Sequence, residues 1–215
     1  MRSSSVRTAW FAALTGVVVA CAGCGGHGPS QPAAARRSAG GGLHGLVPEP
    51  LPRKPEFVLE DTAGRPFDFD RATRGKLTYL YFGYTHCPDA CPLTMGELSL
   101  ALRRQSPSIR RRVEVVFVSV DPRRDTRQVL RSWLAHFGRG FVGLRGSLAR
   151  VRAAERAAGI PLAPAPHAKG TNYAVAHSSF VLPFSPDGMA HVVYTQGFTT
   201  GDYAHDMPLL LRYSH

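Results

Sequence analysis

Apolar and polar positions divide the chain into an irregular start and a regular remainder. Met1 to Thr8 is polar and basic, Trp10 to Ala20 is apolar apart from Thr15 and Gly16, and residues 22–55 show no apolar periodicity. From residue 56 the pattern becomes regular. Glu56 to Asp61 and Pro66 to Phe69, separated by Thr62-Ala63-Gly64-Arg65, predict a β-hairpin. Leu77 to Phe82 is a short apolar run rich in aromatic residues and predicts a buried strand, and Leu93 to Arg104 predicts a helix with Leu93, Leu98 and Leu102 toward one side. Val113 to Val120 is nearly all apolar, as a central parallel strand covered on both faces must be. A helix over Thr126 to Phe137, a short strand over Phe141 to Leu144 and a helix over Leu148 to Ala158, stopped by Gly159 and Pro161, follow. Ser178 to Phe184 and Ala190 to Thr195 form a second hairpin around Pro186-Asp187-Gly188. Pro183 inside that pattern marks an edge strand or a bulge. A last helix covers Asp202 to Tyr213, with Pro208 within it.

Strand–helix–strand units followed by an antiparallel pair predict an α/β domain over residues 56–215, a mixed sheet with helices on both faces. A reactive site in such a sheet is expected at the carboxyl end of a central strand.

Composition narrows the class. Hydrophobic residues make up 44% and charged residues 19%, which excludes a wholly disordered chain. After the first 26 residues no apolar run approaches the roughly 20 residues that cross a bilayer, which excludes a multi-span membrane protein. Four cysteines are too few for a disulfide scaffold. The basic start, short apolar middle and small residues of 1–21 read as a secretory signal. Val18-Val19-Ala20-Cys21 resembles a bacterial lipobox, with Cys21 as the lipidated residue and Cys24 as the alternative. The expected location is therefore outside the cytoplasm, tethered by lipid to the outer face of the cytoplasmic membrane. A retained N-terminal transmembrane anchor is the alternative, for which Ala9 to Cys24 is short. Residues 22–55 read as a Gly/Pro-rich linker, flexible at Gly40-Gly41-Gly42 and extended at Pro48-Glu49-Pro50-Leu51-Pro52. His27 and His44 in it read as ordinary polar residues.

Lys and Arg number 26 against 15 Asp and Glu, a formal net charge of +11. The excess lies in Arg103-Arg104, Arg110-Arg111-Arg112, Arg123-Arg124-Asp125-Thr126-Arg127 and Arg150, Arg152 and Arg156. An exported chain meets little nucleic acid, so the excess reads as a solvated basic surface beside an anionic membrane.

The chemistry concentrates in Tyr84-Thr85-His86-Cys87-Pro88-Asp89-Ala90-Cys91-Pro92, where a buried strand ends and a helix starts. Pro88 and Pro92 suit a first helical turn and no deeper position. Cys87 and Cys91, four apart, share one helix face, and a helix N-terminus favours thiolate, the form that attacks disulfides and binds metals. Metal binding, thiol–disulfide exchange and a structural disulfide all fit this spacing. The last closes so short a loop that it stabilises little, and Cys-x-x-x-Cys departs from the Cys-x-x-Cys of redox domains.

This segment resembles the copper-site motif of the Sco/SenC family. Val118-Ser119-Val120-Asp121-Pro122-Arg123-Arg124-Asp125-Thr126 is similar to the family's second signature, and His177-Ser178-Ser179-Phe180 with Ser185-Pro186-Asp187-Gly188 is similar to its distal histidine hairpin. The likeness covers about residues 56–213. It implies a thioredoxin-like fold with an added hairpin and one copper, Cu(I) or Cu(II), held by Cys87, Cys91 and His177. It also implies a metallochaperone rather than a turnover enzyme, acting on the CuA centre of cytochrome c oxidase subunit II, with other copper carriers as further partners. A thiol–disulfide oxidoreductase that keeps the target cysteines reduced, with Cys87 and Cys91 redox-active, is the alternative. Two thiolates suit soft Cu(I), and imidazole serves both oxidation states; Zn(II) with Cys2His and water is chemically open as well. Two positions depart from the family pattern: Ala176 stands where an acid usually precedes the distal histidine, and Arg127 where proline is common. Among the other histidines, His86 beside Cys87 and His167 in the loop Pro161 to Lys169 are secondary ligand candidates. Asp89 is expected to shape the site loop and Asp121 to cap a turn.

Overall fold

The computed structural model describes residues 36–37, 42–138, 140–162 and 173–214. Cys21, Cys24, the signal-like segment, His27 and His167 lie outside the described residues. In chain order the elements are β1 (Arg36–Arg37), β2 (Leu46–Val47), β3 (Val58–Asp61), β4 (Pro66–Asp68), α1 (Phe69–Ala72), β5 (Leu77–Gly83), α2 (Ala90–Arg103), α3 (Pro107–Arg110), β6 (Val113–Ser119), α4 (Arg127–Ala135), β7 (Phe141–Arg145), α5 (Leu148–Ala157), β8 (Val181–Phe184) and α6 (Thr200–Leu210). Six strands form one mixed sheet in the order β4-β3-β7-β6-β5-β8. β5, β6 and β7 run parallel; β3 and β8 pair antiparallel to the two ends of that trio. Among the described residues no helix is long and apolar enough to cross a membrane.

Every residue of β5 is buried, and so are the last five of β6, which is why both read as unbroken apolar runs. The helices start where a side chain can accept a free N–H of the first turn. Thr126 accepts from Val129 at α4, Ser147 from Arg150 at α5, and Thr199 forms a capping box with Asp202 at α6. Helix α2 starts at Ala90, three residues before the predicted Leu93, because Asp89 caps it and Pro92 sits in the first turn, where no N–H is needed. Pro208 is accommodated inside α6: Ala204, whose carbonyl would have bonded a residue-208 N–H, accepts instead from Gln105 Nε2 at 2.9 Å. The four-residue helices α1 and α3 were not predicted; four residues carry no periodicity.

Two longer stretches also differ from the prediction. The linker was expected to reach residue 55, but the chain from Leu43 is packed. Leu43 is buried, Leu46 exchanges backbone hydrogen bonds with Val193 at 2.9 and 2.7 Å, and Ala190 N–H donates to Pro52. Gly45 passes so close to Val192 that a Cβ would lie 2.5 Å from its Cβ. The stretch shows no period because its partner is a sheet edge that needs backbone groups rather than an apolar face. The second hairpin is also reduced. Its first strand, β8, is the end strand of the sheet, where Pro183 is tolerated, while the returning segment meets β8 only at the bridges Val181–Tyr194 and Phe184–Ala190. That segment divides its hydrogen bonds between β8 and the residues around Leu46 and Pro52.

Candidate metal centre

The site lies where β5 ends, held to the neighbouring strand by Val120 N–H donating to the Gly83 carbonyl at 2.8 Å. A turn follows, closed by Cys87 N–H on the Tyr84 carbonyl at 3.2 Å, and α2 begins. Cys91, in the first turn of α2, is fully buried; Cys87 is 8% exposed. Both are free thiols in this structure. Cys91 N–H points at Cys87 Sγ, 3.5 Å away.

His177 comes from the opposite side. It lies in residues 173–180, a segment without helix or strand, and its Nε2 sits 3.2 Å from Cys91 Sγ. Its Nδ1 lies 3.1 Å from the Val175 carbonyl. A carbonyl only accepts, so Nδ1 carries the proton and Nε2 turns its lone pair to the sulfur. Tyr84 packs edge-on against the imidazole, ring centres 5.1 Å apart. The position of Ala176, where an acid might have oriented the ring, is exposed; the Val175 carbonyl performs that task. One ligand atom from each of Cys87, Cys91 and His177 falls within 4.8 Å of the others, a set able to hold one ion.

Burial pushes the Cys91 thiol up to about 12, although a hydrogen bond from the Tyr81 hydroxyl, 3.5 Å from Sγ, works the other way. Burial likewise pushes the Tyr81 phenol up. Without a cation the pocket therefore holds a protonated Cys91. A bound metal ion reverses this, because coordination deprotonates the thiol and the ion's charge offsets the burial.

The segment 119–125 braces both sides of the site. Asp125, fully buried, accepts from Ser119 Oγ at 2.6 Å, Thr85 Oγ1 at 2.6 Å and Thr85 N–H at 3.1 Å. It ties the start of the cysteine loop to the end of β6. Asp121 opens the turn over 122–124, its carbonyl accepting from Asp125 N–H at 3.0 Å, and its carboxylate accepts from Arg124 and, at 2.8 Å, from the Tyr173 hydroxyl, so it also bridges to the histidine segment. The Arg124 guanidinium lies 3.6 Å from the centre of the Tyr173 ring and 5.6 Å from that of Tyr84. Part of the basic excess is thus structural; Arg127, the second departure, likewise hydrogen-bonds Glu60 on β3.

Asp89, expected to shape the site loop, caps α2 instead. His86 is exposed, its Nδ1 3.0 Å from its neighbour Thr85 Oγ1, and it is not one of the three grouped ligands. Sequence reasoning missed Tyr81, Gly83 and Tyr173. Tyr81 was legible only as one more buried strand residue, and Tyr173 carried no signal at all. Gly83 had one: it interrupts the apolar run at the reactive end of the strand. A Cβ there would lie 2.7 Å from Cys91 Sγ and 2.9 Å from the Phe117 ring, so only glycine leaves room for the sulfur.

The sequence profile described as SCO1/SenC matches residues 48–211. The chain belongs to the SCO1/SenC family. A relative from Stutzerimonas stutzeri, named for copper binding, is 34% identical over 141 residues, 64% of this chain and 68% of that protein. The chain spans less of the mitochondrial members, 45% of the length of Saccharomyces cerevisiae SCO1. Among solved structures, apo Sco1 of Thermus thermophilus superposes with a TM-score of 0.71 at 30% identity, covering 81% of this chain and all of that one. Yeast Sco1 with copper bound does so with 0.69 at 27% identity, covering 76% and 91%. The six-stranded sheet and its helices are thus the thioredoxin-like fold of this family, and the match reaches ahead of residue 56, in line with the packing of residues 43–55.

Proposed function

We propose that this SCO1/SenC chain is a copper carrier. Cys87, Cys91 and His177 hold one copper ion, and the ion is cargo destined for the CuA centre of cytochrome c oxidase subunit II. The observation that carries this reading is the 3.2 Å approach of His177 Nε2 to Cys91 Sγ across 86 positions of sequence. The donor set fits the ion: two sulfurs favour Cu(I), and a neutral imidazole whose far nitrogen is already hydrogen-bonded serves Cu(I) and Cu(II) alike. Zn(II) fits the same atoms; the relatives named for copper favour copper. Three donors from the chain leave room for a ligand of the receiving protein, so the ion leaves by ligand replacement and no bond of the chain is broken. The protein's own part is to present two sulfurs on a rigid strand–helix junction and one imidazole on a separate segment.

The signal-like residues 1–21 support export, with Cys21, or Cys24 in its place, as the lipidated residue. Lipid at that point would hold the folded domain at the outer face of the cytoplasmic membrane, with the residues ahead of Arg36 as tether.

A second reading, thiol–disulfide exchange with the partner's cysteines, rests on the adjacent free thiols. The high pKa of Cys91 weighs against that residue as the attacking group, since the thiolate is the nucleophile. Anaerobic titration with Cu(I) and aerobic titration with Cu(II), following sulfur-to-copper charge transfer, separates the two readings. One tightly bound copper per chain that requires His177 supports the carrier. Weak copper binding together with fast, metal-free reduction of a CuA-domain disulfide, unchanged in His177→Ala, overturns it.

A further inference from the structure

The described residues bring metal-ligating side chains together at one more place, formed by His44, His205 and Asp206, with one ligand atom of each within 4.8 Å of the others. His44 lies in the segment just before β2; His205 and Asp206 lie on α6. Asp206 is fully buried and held from several directions. Its Oδ2 accepts from the Tyr194 hydroxyl at 2.8 Å, Gly45 N–H at 3.0 Å and His44 N–H at 2.9 Å. Its Oδ1 shares the His44 N–H at 2.9 Å and meets His205 Nδ1 at 2.8 Å. His44 Nδ1 lies 2.9 Å from Oδ1 of Asp202, one turn earlier on α6. The two imidazoles stack, centres 3.9 Å apart and 11° from parallel.

Four features of a built cation site coincide here. There are two imidazoles and two carboxylates. One carboxylate is locked by donors on its far oxygen, the arrangement that orients a ligating group. The nitrogen–oxygen separations of 2.8 and 2.9 Å are near the roughly 3 Å between neighbouring ligands around an ion with bonds of about 2.0–2.2 Å. The imidazoles are 45% and 40% exposed, so an ion can reach them and the rings can splay to direct both lone pairs at it.

We propose that His44, His205 and Asp206, with Asp202 completing the set, form a second site for a divalent first-row ion, Zn(II) or Cu(II), which pins the segment entering the domain to α6. Binding brings the ion up to both Nδ1 atoms and displaces the hydrogens of the two Nδ1–carboxylate contacts. Each neutral ring keeps one proton, on Nε2, and no electron moves. With nitrogen and oxygen donors and no sulfur the site favours divalent ions over Cu(I), which sets it apart from the cysteine site. The proposal is independent of the copper-carrier reading.

The test uses the full chain carrying Cys87→Ser and Cys91→Ser, titrated with Zn(II) and with Cu(II) by calorimetry and by thermal melting. One equivalent of ion is expected to bind and to raise the melting temperature, as any ligand of the folded state does. His44→Gln and His205→Gln are each expected to weaken that binding at least tenfold and to abolish the rise. No binding in the parent, or a loss below tenfold in either variant, overturns the proposal. If the double serine chain does not fold, the same two histidine variants are compared in the unsubstituted chain, where each must remove one bound equivalent of Zn(II). Retention of that equivalent overturns the proposal there too.

Discussion

The two arms of the candidate metal centre are built in opposite ways. The cysteine arm is local. A buried strand, a closed turn and a capped helix occur within fifteen residues of sequence, from Leu77 to Cys91, and place both sulfurs. The imidazole arm stands on a segment without regular structure. Its position comes from contacts made at a distance: the Val175 carbonyl behind the ring, the Tyr84 edge beside it, and Tyr173 clamped between Asp121 and Arg124. A carrier benefits from this division. One arm holds the ion, and the other can yield when a partner offers its own ligand, because a segment outside the sheet opens at lower cost than a core strand and helix.

The comparison breaks most directly at the sulfurs. Cys87→Ser and Cys91→Ser are each expected to take copper stoichiometry from one to none, measured by titration against a competing chelator. If the cysteine arm kept stoichiometric copper with one sulfur missing, it would not be the holding arm. His177→Ala should lower copper affinity by at least the roughly 10–100-fold that loss of an outer-shell partner costs and should speed release to a chelator, while both thiols stay in place. Equal damage from His177→Ala and Cys91→Ser would erase the distinction between the arms. Gly83→Ala forces the Cys91 sulfur and Phe117 away from β5; overpacking of this kind costs about 1–3 kcal/mol, which denaturant unfolding reads, and the displaced sulfur should weaken copper binding too. Tyr173→Phe removes one hydrogen bond to buried Asp121 but keeps the ring beside Arg124. The expected cost is about 0.5–1.5 kcal/mol, with faster hydrogen exchange near His177 and unchanged exchange in α2.

The last effect is one of pH. Folding raises the Cys91 pKa from 9.0 to about 12, so the fold favours the protonated thiol. Its contribution to stability is present in full below about pH 9 and fades as pH rises toward 12. The reduced, metal-free chain should therefore lose more stability between pH 9 and 11 than Cys91→Ser does. Parallel pH profiles would show that burial does not govern the sulfur.

Much of this was legible from local signals. β5 and β6 were read within one residue because a strand buried on both faces has to be apolar throughout. The helix over 148–157 was read from its period and its glycine stop. Cys87 and Cys91 were read as a functional pair because their spacing and their place between strand and helix are both local facts. His177 was legible only through resemblance to a family. Tyr173 and Asp121 were not legible as partners, since 52 positions separate them and neither motif predicts a bond to the other. The packing of residues 43–55 was read as linker because prolines and glycines conceal a segment whose contacts are made by its backbone.

What the sequence determined by itself are the quantities that depend on neighbours in the chain: the strands and helices, their caps, the paired sulfurs and the basic balance. The tertiary structure alone decided where an imidazole 86 positions away comes to rest, that a backbone carbonyl rather than an acid orients it, and that His44 stands against α6. The physical reason is one of range. Propensity, capping and hydrophobic period act over a few residues. A metal centre instead needs donor atoms at bonding distance, and only the closing of the sheet brings distant segments that near.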